Sequence, residues 1–318
     1  MSKKNFDVVV VGELNVDLIL NKIESFPEIG KEKIASEMDL KLGSSSAIFA
    51  CNLSSLGVKV TFIGKIGEDY FGNFVTNELH QKNVDVSMII KDKNYKTGAT
   101  IILNFSEDRA MITYPGAMSQ LTFKDIDNEK LLSARHLHFS SFFLQPGLKN
   151  DVGNLFKLAK ENGMTTSFDM QWDPDEKWDI DYKNILPFVD IFLPNEQELL
   201  NLTKEKSLEK ALNKLSGLSK LIVVKMGNKG SLLYYMGQSF KKEPFLNKNV
   251  VDSIGAGDSF NAGFVFKFLQ GKDFLECLEF GNLMGALNTT APGGTTAFIN
   301  YQQIIKDVGE KFNYKIKS

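Results

Sequence analysis

Arginine is almost missing from this 318-residue chain: of its 37 lysine and arginine residues, only Arg109 and Arg135 are arginines. The bidentate guanidinium forks common in nucleic-acid grooves and phosphate clamps are therefore nearly absent, and a phosphate site must rely on backbone amides, lysine or metal. Cysteine is as scarce. Cys51 and Cys277 cannot frame a chain this long with disulfides, and both fall in apolar helical patterns, which implies a reducing, cytoplasmic setting. Long apolar runs are lacking too. The run at 8–11 stops at Gly12-Glu13, too short for a signal-peptide core, and no stretch approaches the ~18–20 residues that cross a bilayer. Nor is there an excess of one charge: the 37 cations face 39 Asp and Glu, a formal −2, with no basic run to follow a phosphate backbone. Neither nucleic acid nor membrane is an expected partner.

What is present is ordinary globular composition, 43% hydrophobic and 24% charged, which excludes wholesale disorder and fibrous repeats. Short β-branched runs at 7–11, 59–64, 136–143, 164–168, 190–194 and 221–225 alternate with helical patterns at 47–56, 71–83, 151–162, 196–202 and 208–218. A long helical pair follows at 258–289. Such alternation predicts an α/β fold with a mostly parallel central sheet and helices on both faces. Two stretches, 18–42 and 95–114, break the rhythm with strand-like alternation and read as a small accessory sheet, a lid over the carboxyl edge. No repeat or linker separates two halves, so residues 1–318 are expected to form one domain with the lid inserted.

The chemistry concentrates at 250–264, where a strand end gives way to Asp252-Ser253-Ile254-Gly255-Ala256-Gly257-Asp258 and then a helix. The glycines let successive N–H groups point into one concavity at a helix N-terminus, which favours an anion. A carboxylate beside an anion hole makes sense if Asp258 takes a proton from a hydroxyl that attacks a phosphoryl group. The plainer alternative is an ordinary first-turn acid. No Walker loop occurs, Phe260 replaces the third glycine of a dinucleotide fingerprint, and there is no nucleophile elbow. His136 and His138 share a strand face without a third ligand, so packing explains them better than zinc.

Together these residues resemble the ribokinase-like sugar kinases, or phosphofructokinase-B type. The segment 252–260 is similar to the family's D-T-x-G-A-G-D-x-F, with Ser253 for Thr. Gly12-Glu13-Leu14-Asn15-Val16-Asp17 resembles its opening strand and sugar-contacting turn, and 64–72 its V-G-x-x-G-x-D-x-x-G. Further matches are Tyr114-Pro115-Gly116-Ala117 at the end of the lid, Asn195-Glu196-Gln197-Glu198 for N-x-x-E, 225–230 for the nucleotide-side glycines, and Pro292-Gly293-Gly294. The resemblance implies a three-layer ribokinase-like fold in which Asp258 is the base and the 255–258 amides hold the phosphoryl group. It also implies ATP along the C-terminal helices, with Lys225, Gly227, Gly230 and Asn282 beside it, and Mg2+ held through water by Asn195 and Glu198. A monovalent cation, K+, near Asp252, Ile254 and the 292–294 turn is a further implication. The 195–198 pair reads equally well as helix capping. Expected partners are the sugar and the nucleotide, with a homodimer through the lid.

Two departures bear on the substrate. The family's Gly-Gly pair and sugar-bonding Asn are replaced in Gly43-Ser44-Ser45-Ser46-Ala47-Ile48, leaving Asn15, Asp17, Gly43, Ser44 and Ile48 as the sugar-side residues. Ile48 cannot bond a hydroxyl, and it also fits the apolar face of its helix. In 169–175, where fructose-type and ketodeoxygluconate-type members tend to carry D-x-N-x-R, there is no arginine, and Asp173, Asp175 and Glu176 would repel an acidic sugar. Trp172 and Trp178 could stack on a sugar or anchor the loop. The expected activity is ATP-dependent phosphorylation of a small neutral sugar. The alternatives are a nucleoside kinase of the same fold and a silent sugar-binding regulator.

Overall fold

The run Val8-Val9-Val10-Val11 has no polar face, and a strand of that kind must be covered on both sides. In the computed structural model, which describes residues 4–105 and 108–315, these valines are fully buried in the strand Phe6–Val11. The strands in chain order are β1 (Phe6–Val11), β2 (Asn15–Ile23), β3 (Ala35–Leu42), β4 (Val60–Gly67), β5 (Ile89–Asp92), β6 (Gly98–Phe105) and β7 (Asp108–Tyr114). They continue with β8 (Ala134–Ser140), β9 (Thr165–Asp169), β10 (Ile191–Phe192), β11 (Leu221–Lys225), β12 (Ser231–Tyr235) and β13 (Gln238–Lys242). Nine of these form the main sheet in the order β13-β12-β11-β10-β9-β8-β1-β4-β5, parallel from β11 to β5 and antiparallel at the β12–β13 edge.

Helices cover both faces. They are α1 (Ser45–Ser55), α2 (Tyr70–Gln81), the single turn α3 (Asn128–Leu131), α4 (Val152–Glu161), the single turn α5 (Tyr182–Ile185), α6 (Glu196–Thr203), α7 (Leu208–Leu215), α8 (Ala256–Leu269), α9 (Phe274–Asn288) and α10 (Tyr301–Phe312). Alternation along β1 divides the core: Val8 and Val10 pack with Phe49 of α1, Val265 of α8, Leu283 of α9 and Ile304 of α10. Val9 and Val11 pack with Phe156 of α4, Leu199 of α6 and Leu212 of α7. This is the expected three-layer α/β arrangement.

Boundaries differ where local backbone chemistry intervenes. The strand predicted over 136–143 stops at Ser140, because Ser141 adopts a left-handed conformation (φ 57) and a 3-10 turn follows at Phe142–Leu144. The strand at 190–194 shrinks to Ile191–Phe192, and the helix at 208–218 ends at Leu215. Strand β5, the β12–β13 hairpin and α10 extend the predicted pattern.

The segments read as a lid form a separate four-stranded sheet, β3-β2-β6-β7. It starts where β1 ends, at Gly12–Leu14, and its β6 is anchored near the end of β4, where Gly67 N–H donates to Thr97 Oγ1 at 2.9 Å. Cross-strand register gives its two faces opposite chemistry. One row runs Lys41, Asp17, Thr100, Thr113; the next runs Leu40, Leu18, Ile101, Ile112.

Candidate active site

The main sheet changes direction between β1 and β8, and the carboxyl ends of the strands at such a switch point border a crevice. Three neighbouring strand ends deliver polar groups there: Asp169 closes β9, Asn195 follows β10 and Lys225 closes β11. Opposite them Gly255 caps α8 with left-handed backbone (φ 75), a conformation glycine adopts without strain. The Ala256 N–H donates to Ser253 O at 3.3 Å, while among the described residues no acceptor meets the N–H groups of Gly255, Gly257 or Asp258. Unpaired donors at the positive end of a 14-residue helix make an anion hole.

Asp258 is buried in the first turn of that helix. Its Oδ1 accepts from Gln171 Nε2 at 3.0 Å, and the same amide reaches Asp169 Oδ2 at 3.0 Å. Asp169 is held by Lys225 Nζ at 2.6 Å and by Asn261 Nδ2 at 2.5 Å. Burial, reinforced by the Asp169 charge and opposed by Lys225, pushes the Asp258 carboxyl up to about 8, giving a strong proton acceptor. Lys225 is close to the hole: a Cβ on Gly257 would stand 3.8 Å from its Nζ.

Asn195 and Glu198 form the capping box that the plainer reading foresaw, each bonding the other's backbone N–H at 2.8 Å. The cap uses Glu198 Oε2 only, and burial together with the nearby Asp169 pushes this carboxyl up to about 7. Among the described residues no three His, Cys, Asp or Glu side chains converge as a metal cage. A buried carboxylate at this cost suits a dication approached through water, so the pair fits Mg2+.

Among the residues expected to meet the sugar, Asn15 Nδ2 donates to Thr100 Oγ1 at 2.8 Å, while its buried Oδ1 has no protein partner. Asp17 is pushed up to about 7 by burial, and Gly43 sits so close that a Cβ would overlap its carboxylate. Ser44 occupies left-handed backbone (φ 74), the strain that a glycine would avoid, and caps α1 by accepting from Ala47 N–H at 3.1 Å. Ile48 is buried against Gly255 and Gly294. Glu13, named only within a motif, is a buried carboxylate raised by burial and bonded to Ser46 N–H and Oγ, with Ser46 Oγ 2.6 Å from Ser140 Oγ.

On the other side of the hole a cavity of about 400 Å³ extends along α8 and α9, lined by Lys225, Gly227, Gly230, Phe245, Ala286 and Asn282. The Asn282 amide is 3.1 Å from Glu243 O. The oxygens expected to meet a cation near Asp252 and Ile254 already have hydrogen-bond donors. Asp252 Oδ1 and Oδ2 accept from Ile254 N–H (2.9 Å) and Gly293 N–H (2.8 Å), and Ile254 O accepts from Asn288 Nδ2 at 2.6 Å.

In the loop after β9, Asp175 and Glu176 are exposed and Asp173 is buried. Asp173 is turned inward, accepting from Asp175 N–H at 3.0 Å and Trp178 N–H at 2.6 Å, so it ties its own loop. Trp178 is buried edge-on against Phe143 and acts as the loop anchor, whereas Trp172 is half-exposed. His136 and His138 lie inside the sheet, bonded to Thr165 and Ser167. Asp169 and Gln171 were not assigned site roles from the sequence; an acid closing a buried strand was the available signal.

A buried carboxylate in the first turn of a helix whose N–H groups are unpaired, a cavity along two helices and a small sheet inserted after β1 are the arrangement of a phosphotransferase of the ribokinase-like class. The chain belongs to the pfkB family of carbohydrate kinases, which it matches over residues 5–300. It is 31% identical to an uncharacterized sugar kinase of Archaeoglobus fulgidus over 74% of this chain and 92% of that one. It is 29% identical to a 5-dehydro-2-deoxygluconokinase of Clostridium perfringens over 90% and 87%. The structure of Arabidopsis thaliana ribokinase complexed with ribose and ATP superposes with a TM-score of 0.82 at 25% identity, covering 95% of this chain and 98% of that one. These relatives do not favour the nucleoside-kinase alternative. No described helix is long and apolar enough to cross a membrane.

Proposed function

We propose that this carbohydrate kinase transfers the terminal phosphoryl group of ATP to a hydroxyl of a small neutral sugar, with Asp258 as general base. The observation that carries this is the buried Asp258 carboxyl, pushed up to about 8, in the first turn of the helix whose N–H groups form the anion hole. As the sugar oxygen bonds to the γ-phosphorus and the bond to the β-phosphate oxygen breaks, Asp258 accepts the hydroxyl proton. The 255–258 amides hold the charge on the transferring oxygens, and Lys225, fixed by Asp169, offsets charge beside them. ATP fills the cavity along α8 and α9. Mg2+, approached through water by Asn195 and Glu198, supplies charge neutralisation on the phosphates when bound.

Asn15 presents an unpaired Oδ1 to a sugar hydroxyl beside the Asp17 carboxyl group, Gly43 makes room for them, and Ser44 and Ile48 shape the wall toward the anion hole. A neutral substrate suits this side, where Glu13, Asp17 and Asp258 are the buried acids and Lys41 is a cation on the facing strand. The second sheet acts as a lid of one cytoplasmic kinase domain spanning 1–318, excluding water from the phosphoryl group. Its outer row, with Ile101 and Ile112 exposed, pairs with the same row of a second copy.

The test is a coupled ADP-release assay over neutral sugars, acidic sugars including 5-dehydro-2-deoxygluconate, and nucleosides. Turnover of a neutral sugar supports the proposal. Turnover confined to acidic sugars refutes the neutral assignment, and no sugar-dependent ADP release refutes the reading.

A further inference from the structure

We propose that Asn288 takes the place of a monovalent cation in this enzyme: its side-chain amide supplies the positive end that fixes the anion-hole loop, so that turnover is indifferent to K+. The proposal rests on the kinase reading above.

Asn288 ends α9 and is fully buried. Its Nδ2 lies 2.6 Å from Ile254 O, and its Oδ1 is 3.0 Å from Ser259 Oγ. Ser259 Oγ is also 2.8 Å from Gly255 O and accepts from Asn52 Nδ2 at 2.9 Å; Asn52 Nδ2 donates as well to Gly294 O at 2.9 Å. The amide orientation follows from its neighbours, since turning Asn288 over would set two carbonyl oxygens against each other.

The consequence is that each of these oxygens already has a donor. Ile254 O is met by Asn288, Gly294 O by Asn52, and both Asp252 carboxylate oxygens by backbone N–H groups. An ion bridging the 252–255 loop and the 292–294 turn would compete with these donors for the same oxygens, and an amide that it displaced would have its hydrogens left unpaired in a buried place. The residue after Ile254 is Gly255, whose left-handed backbone starts α8 and whose N–H meets no acceptor among the described residues. Asn288 touches no reacting atom. It is a positioning residue that holds the loop by a neutral dipole where a charge could otherwise do so.

The experiment compares kcat, KM for nucleotide and melting temperature of the whole protein in KCl, NH4Cl and choline chloride at equal ionic strength. For the natural protein the three salts should agree within about two-fold in kcat and KM, with no K+-dependent rise in melting temperature, because a site without affinity gives no linkage. Asn288→Ala should lose turnover in choline and regain it in KCl or NH4Cl, with a K+-dependent rise in melting temperature. Asn288→Asp, which keeps the shape and replaces the donor with an acceptor, should behave the same way. Activation of the natural protein by K+ or NH4+ beyond two-fold, or a folded Asn288→Ala that no cation rescues, would overturn the proposal. If Asn288→Ala does not fold, the natural protein and Asn288→Asp still decide. Melting needs no sugar, so a failure to find any sugar substrate sinks the kinase reading separately.

Discussion

The side-chain amide of Gln171 lies 3.0 Å from the Asp258 carboxylate and donates to it, from a residue held in left-handed backbone (φ 61). That bond favours the charged form of Asp258, against the burial that favours the neutral one. Gln171→Ala should therefore move the acid limb of the pH–rate profile to higher pH. A limb that stays in place or moves to lower pH means that Gln171 does not tune the base.

Gly294 and Ile48 form the tightest apolar contact beside the anion hole. A Cβ on Gly294 would stand 2.6 Å from Ile48 Cγ1 and 2.9 Å from Cγ2, and a β-branched side chain has little freedom to yield. Gly294→Ala should cost about 1–3 kcal/mol by overpacking. Ile48→Ala in the same chain should recover much of it, so a double-mutant cycle read by urea denaturation shows strong coupling. Additive effects would place Ile48 elsewhere.

This contact also marks how far the sequence could be read. The valine run, the 255–258 glycines and the strand–helix alternation were legible because each is a local pattern with a local physical cause. The neighbours of Ile48 were not, since they come from loops more than 200 positions away and the helical face alone leaves its direction open. Asn195 and Glu198 carried two readings in sequence; the cap is formed, and Glu198 lies near Asp169 and Lys225. The acidity of Asp173 is visible in sequence, and its inward hydrogen bonds are not. Asn288, a lone amide at a helix end, had no signal at all.

Protonation of the buried acids gives the free protein an unusual pH dependence. Asp17 and Glu198 at about 7 and Asp258 at about 8 hold protons that the unfolded chain, with carboxyls near ~4, releases. Stability from these groups is therefore present at low pH and lost as pH rises through about 7 to 8. His136, lowered to about 3 by burial, acts in the opposite direction, losing stability as pH falls below ~6.5 toward 3. Thermal melting should be higher at pH 6.5 than at pH 8.5, and Asp258→Asn should flatten that slope. A melting temperature that rises over this interval contradicts the assignment.

The apolar row of the second sheet predicts association. Ile112 is 66% exposed and Ile101 40%, neighbours on adjacent strands of one face. Light scattering should give a dimer for the natural protein and a monomer for Ile112→Lys. A monomeric natural protein, or a variant that remains dimeric, removes the lid interface.

The central claim is that Asp258 is the base in sugar phosphorylation, and sugar-dependent ADP release by Asp258→Asn tests it most directly. Asparagine keeps the shape and the Gln171 neighbourhood but cannot accept the proton. At saturating substrate kcat should fall by about 10²–10⁴, while ATP affinity and the fold remain close to those of the natural protein. A variant that binds ATP normally and keeps more than half of the natural turnover would contradict the account.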